Sequence, residues 1–240
     1  MTLFNKNVLV TGASGGLGAS IAKSFSSRNC NLMLVGQNLE KLENLQKQLR
    51  EANTKNDVSV AVCNLENSKD IRFLAKHVEE TFGQIDILVN CAGVFQISSI
   101  DDTTLEEYEK CIKVNLTAPF LLTQCFLKGM KDKKWGRIIN IASSSAYGAA
   151  PGTSVYSASK HGMLGLSRAL YKELKSFGIR VLCVSPGTIK TDMGHEVTKL
   201  GQDYATFMDP AEVAEYVVYN TEFDGNLVSE EIRLNRVHVQ

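Results

Sequence analysis

The sequence is poor in the features that mark several protein classes. Only four of its 240 residues are proline and one is tryptophan, and no Pro/Ser-rich or low-complexity tract offers an interdomain linker. An excess of charge is also missing. Twenty-six Lys and Arg balance 26 Asp and Glu, so the broad electrostatic attraction of a nucleic-acid binder is absent. The one basic cluster, Lys128, Lys131, Lys133 and Lys134, falls where a helix should end, and cations there suit the helix dipole. No run approaches the ~18 apolar residues of a membrane helix. Residues 1–6 lead straight into a strand-like segment, with no apolar leader core ahead of it. The six cysteines, Cys30, Cys63, Cys91, Cys111, Cys125 and Cys183, are never closer than fourteen residues, a spacing that supplies neither a metal knuckle nor a disulfide framework. His77, His161, His195 and His238 also lack ligand spacing, so no metal site is expected. Together these absences point to a cytoplasmic chain with reduced, mostly buried thiols and no nucleic-acid or membrane partner.

What is present is globular: 44% of residues are apolar and 22% charged. Short β-branched runs alternate with longer amphipathic stretches. Strands are predicted over Asn7–Thr11, Leu32–Val35, Val58–Cys63, Ile85–Asn90, Arg137–Ser143, Arg180–Ser185 and Glu231–Leu234. Helices are predicted over Leu17–Arg28, Leu39–Ala52, Ser68–Phe82, Leu105–Met130 with a break near Pro119, Ser157–Phe177 and Pro210–Tyr219. Strands that are apolar without strict alternation are buried on both faces, as in a parallel sheet. Strand–helix repetition then implies right-handed crossovers and one doubly wound α/β domain over residues 1–240, with about seven parallel strands between two helical layers.

The first strand ends in Thr11-Gly12-Ala13-Ser14-Gly15-Gly16-Leu17-Gly18, and a helix opens at once. In such a turn Gly12 permits the tight bend, Gly16 lets backbone approach a pyrophosphate and Gly18 lets helix pack close on strand. The helix N-terminus would offer free N–H groups to phosphates. The second strand runs into Val35-Gly36-Gln37-Asn38, with no carboxylate before Glu40. An acid there would bind both ribose hydroxyls and repel a 2′-phosphate. Its absence favours NADP(H), with NAD(H) the other carrier, although only Ser14, Gln37, Asn38 and Lys41 stand by to contact the phosphate.

Tyr156 and Lys160 lie four residues apart at a predicted helix start, so they share one face. A free phenol ionises near 10, too high for proton transfer at neutral pH, and a fixed cation lowers that value. The same spacing also describes a chance surface pair. Upstream, Ser143 ends a strand, where its hydroxyl can donate to a carbonyl oxygen; three serines in a row, 143–145, equally mark a turn. Asn115 is a polar residue in an apolar helix, either a satisfied buried amide or part of a proton path.

Taken in order, Thr11–Gly18 (TGASGGLG), Asn90–Gly93 (NCAG), Asn115, Ser143 with Tyr156 and Lys160 (YSASK), and Pro186-Gly187 resemble the landmarks of the short-chain dehydrogenase/reductase family over nearly the whole chain. The thirteen-residue gap from Ser143 to Tyr156 fits as well. The resemblance implies a Rossmann-type fold and an NAD(P)-dependent interconversion of a ketone and a secondary alcohol by hydride transfer. Tyr156 would be the general acid or base, and Ser143 would polarise the carbonyl. Lys160 would bind the nicotinamide ribose and lower the Tyr156 pKa, and Asn115 would hold a relay water. The implied cofactor contacts are Gly12, Ser14, Gly15, Gly16, Leu17, Gly18, Gln37, Asn38, Asn64, Leu65, Asn90, Ala92, Gly93, Tyr156, Lys160, Pro186, Gly187, Ile189 and Thr191. Residues 188–209 would form a short substrate-covering segment, and Phe95, Ser145, Tyr147, Met193, Tyr204 and Phe207 are pocket candidates. A homodimer or homotetramer is implied too.

The chain departs from the family's pattern at Asn64, where Asp is common, at Cys91, usually Asn, and at Leu227–Gln240, which lacks the glycine-rich ending of many ketoacyl-carrier-protein reductases. Two other functions fit the scaffold: a non-catalytic nicotinamide sensor, and a redox-neutral lyase, isomerase or epimerase.

Overall fold

The computed structural model describes residues 3–52 and 55–237; Met1, Thr2 and His238 lie outside them. Seven parallel strands form one sheet: β1 (Asn7–Thr11), β2 (Asn31–Gly36), β3 (Val58–Val62), β4 (Ile87–Asn90), β5 (Gly136–Ile141), β6 (Ile179–Pro186) and β7 (Glu231–Leu234). Their order is β3-β2-β1-β4-β5-β6-β7, so β1 is bonded to both β2 and β4. That reversal makes a crevice beyond the carboxyl ends of β1 and β4, the place where such sheets bind ligands.

The helices are α1 (Gly16–Ser27), α2 (Leu39–Ala52), α3 (Ser68–Phe82), α4 (Leu105–Ile112), α5 (Ala118–Lys133), α6 (Ser154–Leu174), α7 (Asp192–Glu196) and α8 (Pro210–Thr221). Successive strand residues bury to opposite sides. Val8, Val10, Leu32 and Leu34 join Ile21 and Phe25 of α1, Leu42 of α2 and Val217 of α8 in one core. Leu9, Met33 and Leu88 face the other way, against Ile71 and Leu74 of α3 and Leu122 and Phe126 of α5. This two-sided burial is why the strands read as continuous apolar runs.

All seven strands appear where expected, with shifted ends. β5 stops at Ile141, leaving Ser143 beyond the strand in extended backbone. β4 begins at Ile87, and α6 begins at Ser154, so Tyr156 sits inside its first turn. The long helix is not interrupted at Pro119. The irregularity is a π-helical turn over Lys113–Thr117, and Pro119 sits in the first turn of α5, where its missing N–H costs least. The lysines in the last turns of α5 are occupied: Lys128 with Asp132, Lys133 with Asp86, and Lys131 over the Phe177 ring.

Candidate functional site

Thr11 joins the two strand ends that border the crevice. Its Oγ1 donates to Val89 O (3.2 Å) and accepts the Cys91 and Ala92 N–H groups (3.0 and 3.1 Å). The turn that follows needs glycine for space. Gly12 has φ +69°, and a Cβ there would stand 2.9 Å from Ala92 Cα. A Cβ on Gly18 would lie 2.3 Å from Gly12 O. Helix α1 starts after Gly15 with no side chain capping it, so its first N–H groups are open to an anion.

Across the crevice, Asn115 is fully buried in the π-helical turn. Its Oδ1 accepts Val94 N–H (2.8 Å), and its Nδ2 donates to Val94 O and to Ser159 Oγ (both 3.0 Å), with Cys111 Sγ at 3.3 Å. Ser159 Oγ in turn donates to Tyr156 O (2.7 Å). The amide thus ties the loop after β4 to the first turn of α6. Pro119, lacking N–H, cannot return a helical bond to the Asn115 carbonyl.

Ser143 precedes a tight 3₁₀ turn, and its hydroxyl accepts Ser145 N–H (3.1 Å). Burial pushes the Tyr156 phenol up to about 12, partly offset by a hydrogen bond with Ser143. Lys160 Nζ donates to Ile141 O (2.9 Å) and lies 5.6 Å from the Tyr156 ring centroid. Burial pushes its ammonium down to about 8, opposed by the nearby thiols of Cys91, Cys111 and Cys183. Burial thus moves both groups toward their neutral forms: the phenol stays protonated, and the ammonium keeps its charge only up to about pH 8. Phe95 packs edge-on against Tyr156, with centroids 4.8 Å apart at 82°.

These groups open onto one cavity of about 690 Å³. Of the expected cofactor contacts, Gly12, Ser14, Gly15, Gly16, Leu17, Gly18, Gln37, Leu65, Ala92, Gly93, Tyr156, Lys160, Pro186, Gly187, Ile189 and Thr191 line it, and Ser143 does too. Asn38, Asn64, Asn90 and Asn115 are not in its wall. Asn38 Oδ1 accepts Lys41 N–H, Asn64 Oδ1 accepts Glu66 N–H, and Asn90 Nδ2 donates to Asn140 Oδ1. Phe95, Ser145 and Met193 line the cavity, whereas Tyr147, Tyr204 and Phe207 do not. Tyr147 hydrogen-bonds Glu231 instead, and Tyr204 packs between His195 and Phe207. Val94, Val197, Leu200 and Gln202 also line the cavity without having stood out in the sequence; their apolar or amide side chains carry no spacing signal. His161 Nδ1 lies 2.8 Å from Ser157 O, away from the cavity.

The short chain dehydrogenase family model matches residues 6–200. An uncharacterized oxidoreductase of Staphylococcus saprophyticus is 33% identical over 217 residues, covering 90% of this chain and 91% of that one. A 3-oxoacyl-acyl-carrier-protein reductase of Rickettsia bellii is 36% identical over 191 residues, 80% of this chain and 76% of that one. Among solved structures, a metagenomic short-chain oxidoreductase in complex with NADP superposes with a TM-score of 0.86 at 28% identity, covering 99% of this chain and 100% of the other. Levodione reductase gives 0.89 at 26% identity, with 97% and 96% covered. The chain belongs to the short-chain dehydrogenase/reductase family, and with it to the NAD(P)-binding oxidoreductases.

Proposed function

We propose that this protein is an NADP(H)-preferring reductase that interconverts a ketone and a secondary alcohol, with Tyr156 as proton donor and acceptor. The observation that carries the proposal is the meeting of Ser143, Tyr156 and Lys160 with the glycine turn after β1 in a single cavity. The residues present suit a nicotinamide dinucleotide: a cradle in which Gly12, Gly16 and Gly18 leave no room for Cβ atoms, and an uncapped helix start for the pyrophosphate. When bound, that group supplies or accepts the hydride at the carbonyl carbon.

The chain's own residues manage the proton. Tyr156, neutral at physiological pH, gives its O–H proton to the carbonyl oxygen during reduction and takes it back during oxidation. The Ser143 hydroxyl, beside that phenol, donates to the same oxygen and fixes the carbonyl's direction. Lys160 supports the phenol and offers its remaining protons to the nicotinamide ribose. Asn115 keeps the Val94 loop against the first turn of α6. Residues 188–209 cover the substrate: the parallel bridge of Ile189 to Met208 closes their base, and Met193, Val197 and Leu200 face the cavity. For NADP(H) over NAD(H), the support is the uncharged Gln37 at the end of β2. The exposed Phe120 of α5, with Ala158, Gly165 and Ala169 exposed along α6, suits helix pairing with a second copy.

Nicotinamide oxidation is followed over a broad carbonyl panel with NADPH and NADH, for wild type and Tyr156→Phe in parallel. The expected result is NADPH-dependent turnover that the phenylalanine variant loses by at least ~100-fold while still binding NADPH. Undiminished turnover by Tyr156→Phe overturns the assignment. Product formation without net NADPH use points to redox-neutral chemistry, and tight NADPH binding without any turnover to a sensor.

A further inference from the structure

We propose that the substrate end of the cavity selects an uncharged carbonyl compound, and that ketones carrying a carboxylate or phosphate near the reacting carbon are refused. The inference rests on the reductase reading and adds to it the class of substrate. Among the described residues, four side chains with ionisable charge line the cavity: Glu66, Lys110, Lys160 and Asp192. Lys110 faces Glu66 at 3.8 Å, next to Leu65 and beyond β3, away from the covering segment. Lys160 is buried with its Nζ on Ile141 O. Asp192, on the covering segment, is an acid and repels anions.

Among the described residues, the other cations around the substrate end are paired elsewhere or stand outside the cavity wall. Lys199 pairs with Glu196. Arg233 stacks over the Tyr147 ring at 4.2 Å. Arg236 donates to Thr206 Oγ1 (2.7 Å) and Gln202 Oε1 (2.9 Å) and lies over the Phe207 ring at 5.2 Å. Lys190 is exposed and outside the cavity wall. Phe95 packs against Tyr156, and apart from Lys160 and Asp192 the lining contributed by the loop after β4 and by the covering segment is apolar or neutral, with Val94, Met193, Val197 and Leu200 and the polar Gln202. Such a wall compensates the lost hydration of a ketone's alkyl arms. It offers a carboxylate no partner, and an unpaired charge moved out of water is strongly disfavoured.

The test uses matched pairs built on the ketone that the panel shows to be turned over fastest: its ester-bearing form and the corresponding free acid. Ethyl 3-oxobutanoate against 3-oxobutanoate is the first pair. With wild type and NADPH, kcat/KM for the ester is expected to exceed that for the acid by about 100-fold or more. Met193→Lys and Leu200→Lys each place an ammonium in the wall at positions 39% and 36% exposed, where the longer side chain does not disturb the core. Each is expected to raise the acid-to-ester ratio of kcat/KM by about tenfold. Equal use of acid and ester, or a preference for the acid, overturns the proposal and leaves the reductase reading standing. Failure of both lysine variants to move the ratio also overturns it. Bound NADPH with no carbonyl reduced at all overturns both readings together.

Discussion

Asn115→Ala separates two roles for this buried amide. Its side chain holds Val94 by both N–H and C=O and reaches Ser159 as well. Truncation orphans the Val94 N–H and C=O, whereas Ser159 keeps its bond to Tyr156 O. A buried polar group left without a partner costs about 1–3 kcal/mol. Val94 borders the cavity, so water reaches one of the two groups and lowers the sum to about 3 kcal/mol. For a chain of this size that is a fall in Tm of about 6–12 °C, read by far-UV circular dichroism at fixed pH. Activity falls with it, because Val94 leads directly into Phe95, whose edge stands against Tyr156. A clamp predicts both losses together. A residue serving proton transfer alone predicts a fall in kcat with Tm unchanged. A Tm within about 2 °C of wild type refutes the clamp.

Three other outcomes are expected. Gly18→Ala sets a Cβ 2.3 Å from Gly12 O, backbone that cannot step aside; dinucleotide affinity measured by fluorescence titration drops by at least ~100-fold, and Gly225→Ala, where the added methyl meets nothing, binds like wild type. Burial holds the Lys160 proton loosely, at about 8, and the Tyr156 proton tightly, at about 12. Raising the pH between those values therefore strips Lys160 first, and kcat/KM for the dinucleotide, which reports free-enzyme ionisations, falls above about pH 8. A profile flat to pH 10 contradicts that assignment. Asp224→Ala removes the carboxylate facing the fully buried Arg137 and the Trp135 Nε1–H. Breaking a buried pair costs about 3–5 kcal/mol, reduced here toward about 3 by the partial exposure of Asp224 and the Phe223 carbonyl that Arg137 keeps. Chemical denaturation should show that loss with the slope unchanged.

Much of this architecture was legible because each signal was local. Val8-Leu9-Val10 and Leu32-Met33-Leu34 are apolar without alternation because both faces of the strand are buried, and that pattern alone implies a parallel sheet. The glycine turn was legible for the same reason: the close approaches of Gly12 and Gly18 occur within the turn or against the neighbouring strand end. The helix break was misplaced because proline is the obvious breaker. Here Pro119 sits where a missing N–H is harmless, and the distortion falls over Lys113–Thr117 around Asn115, a residue whose amide bonds to Val94 rather than along its own helix. Local propensity has no term for a partner 21 residues away.

The same limit bears on the residues around the site. Asn38, Asn64 and Asn90 all follow or end strands bordering the crevice, Asn38 expected as a ligand contact from its place after β2 and Asn64 and Asn90 from the family resemblance. In the fold their side chains also close turns and bridge β4 to β5, uses that no local pattern announces. Gln202, by contrast, carried no signal. It enters the cavity wall on a segment whose base is closed by Met208 against Ile189 and whose outer part is held by Arg236, 34 residues further on. The glycine cradle is therefore marked by its own sequence even though Ala92 and Thr191 close it from afar, whereas the substrate end carries no such local mark and is fixed by contacts among residues far apart in the chain. Substrate choice should accordingly shift with substitutions at Arg236 that leave dinucleotide affinity untouched, since that guanidinium reaches Gln202 and Thr206 and nothing near Gly12–Gly18.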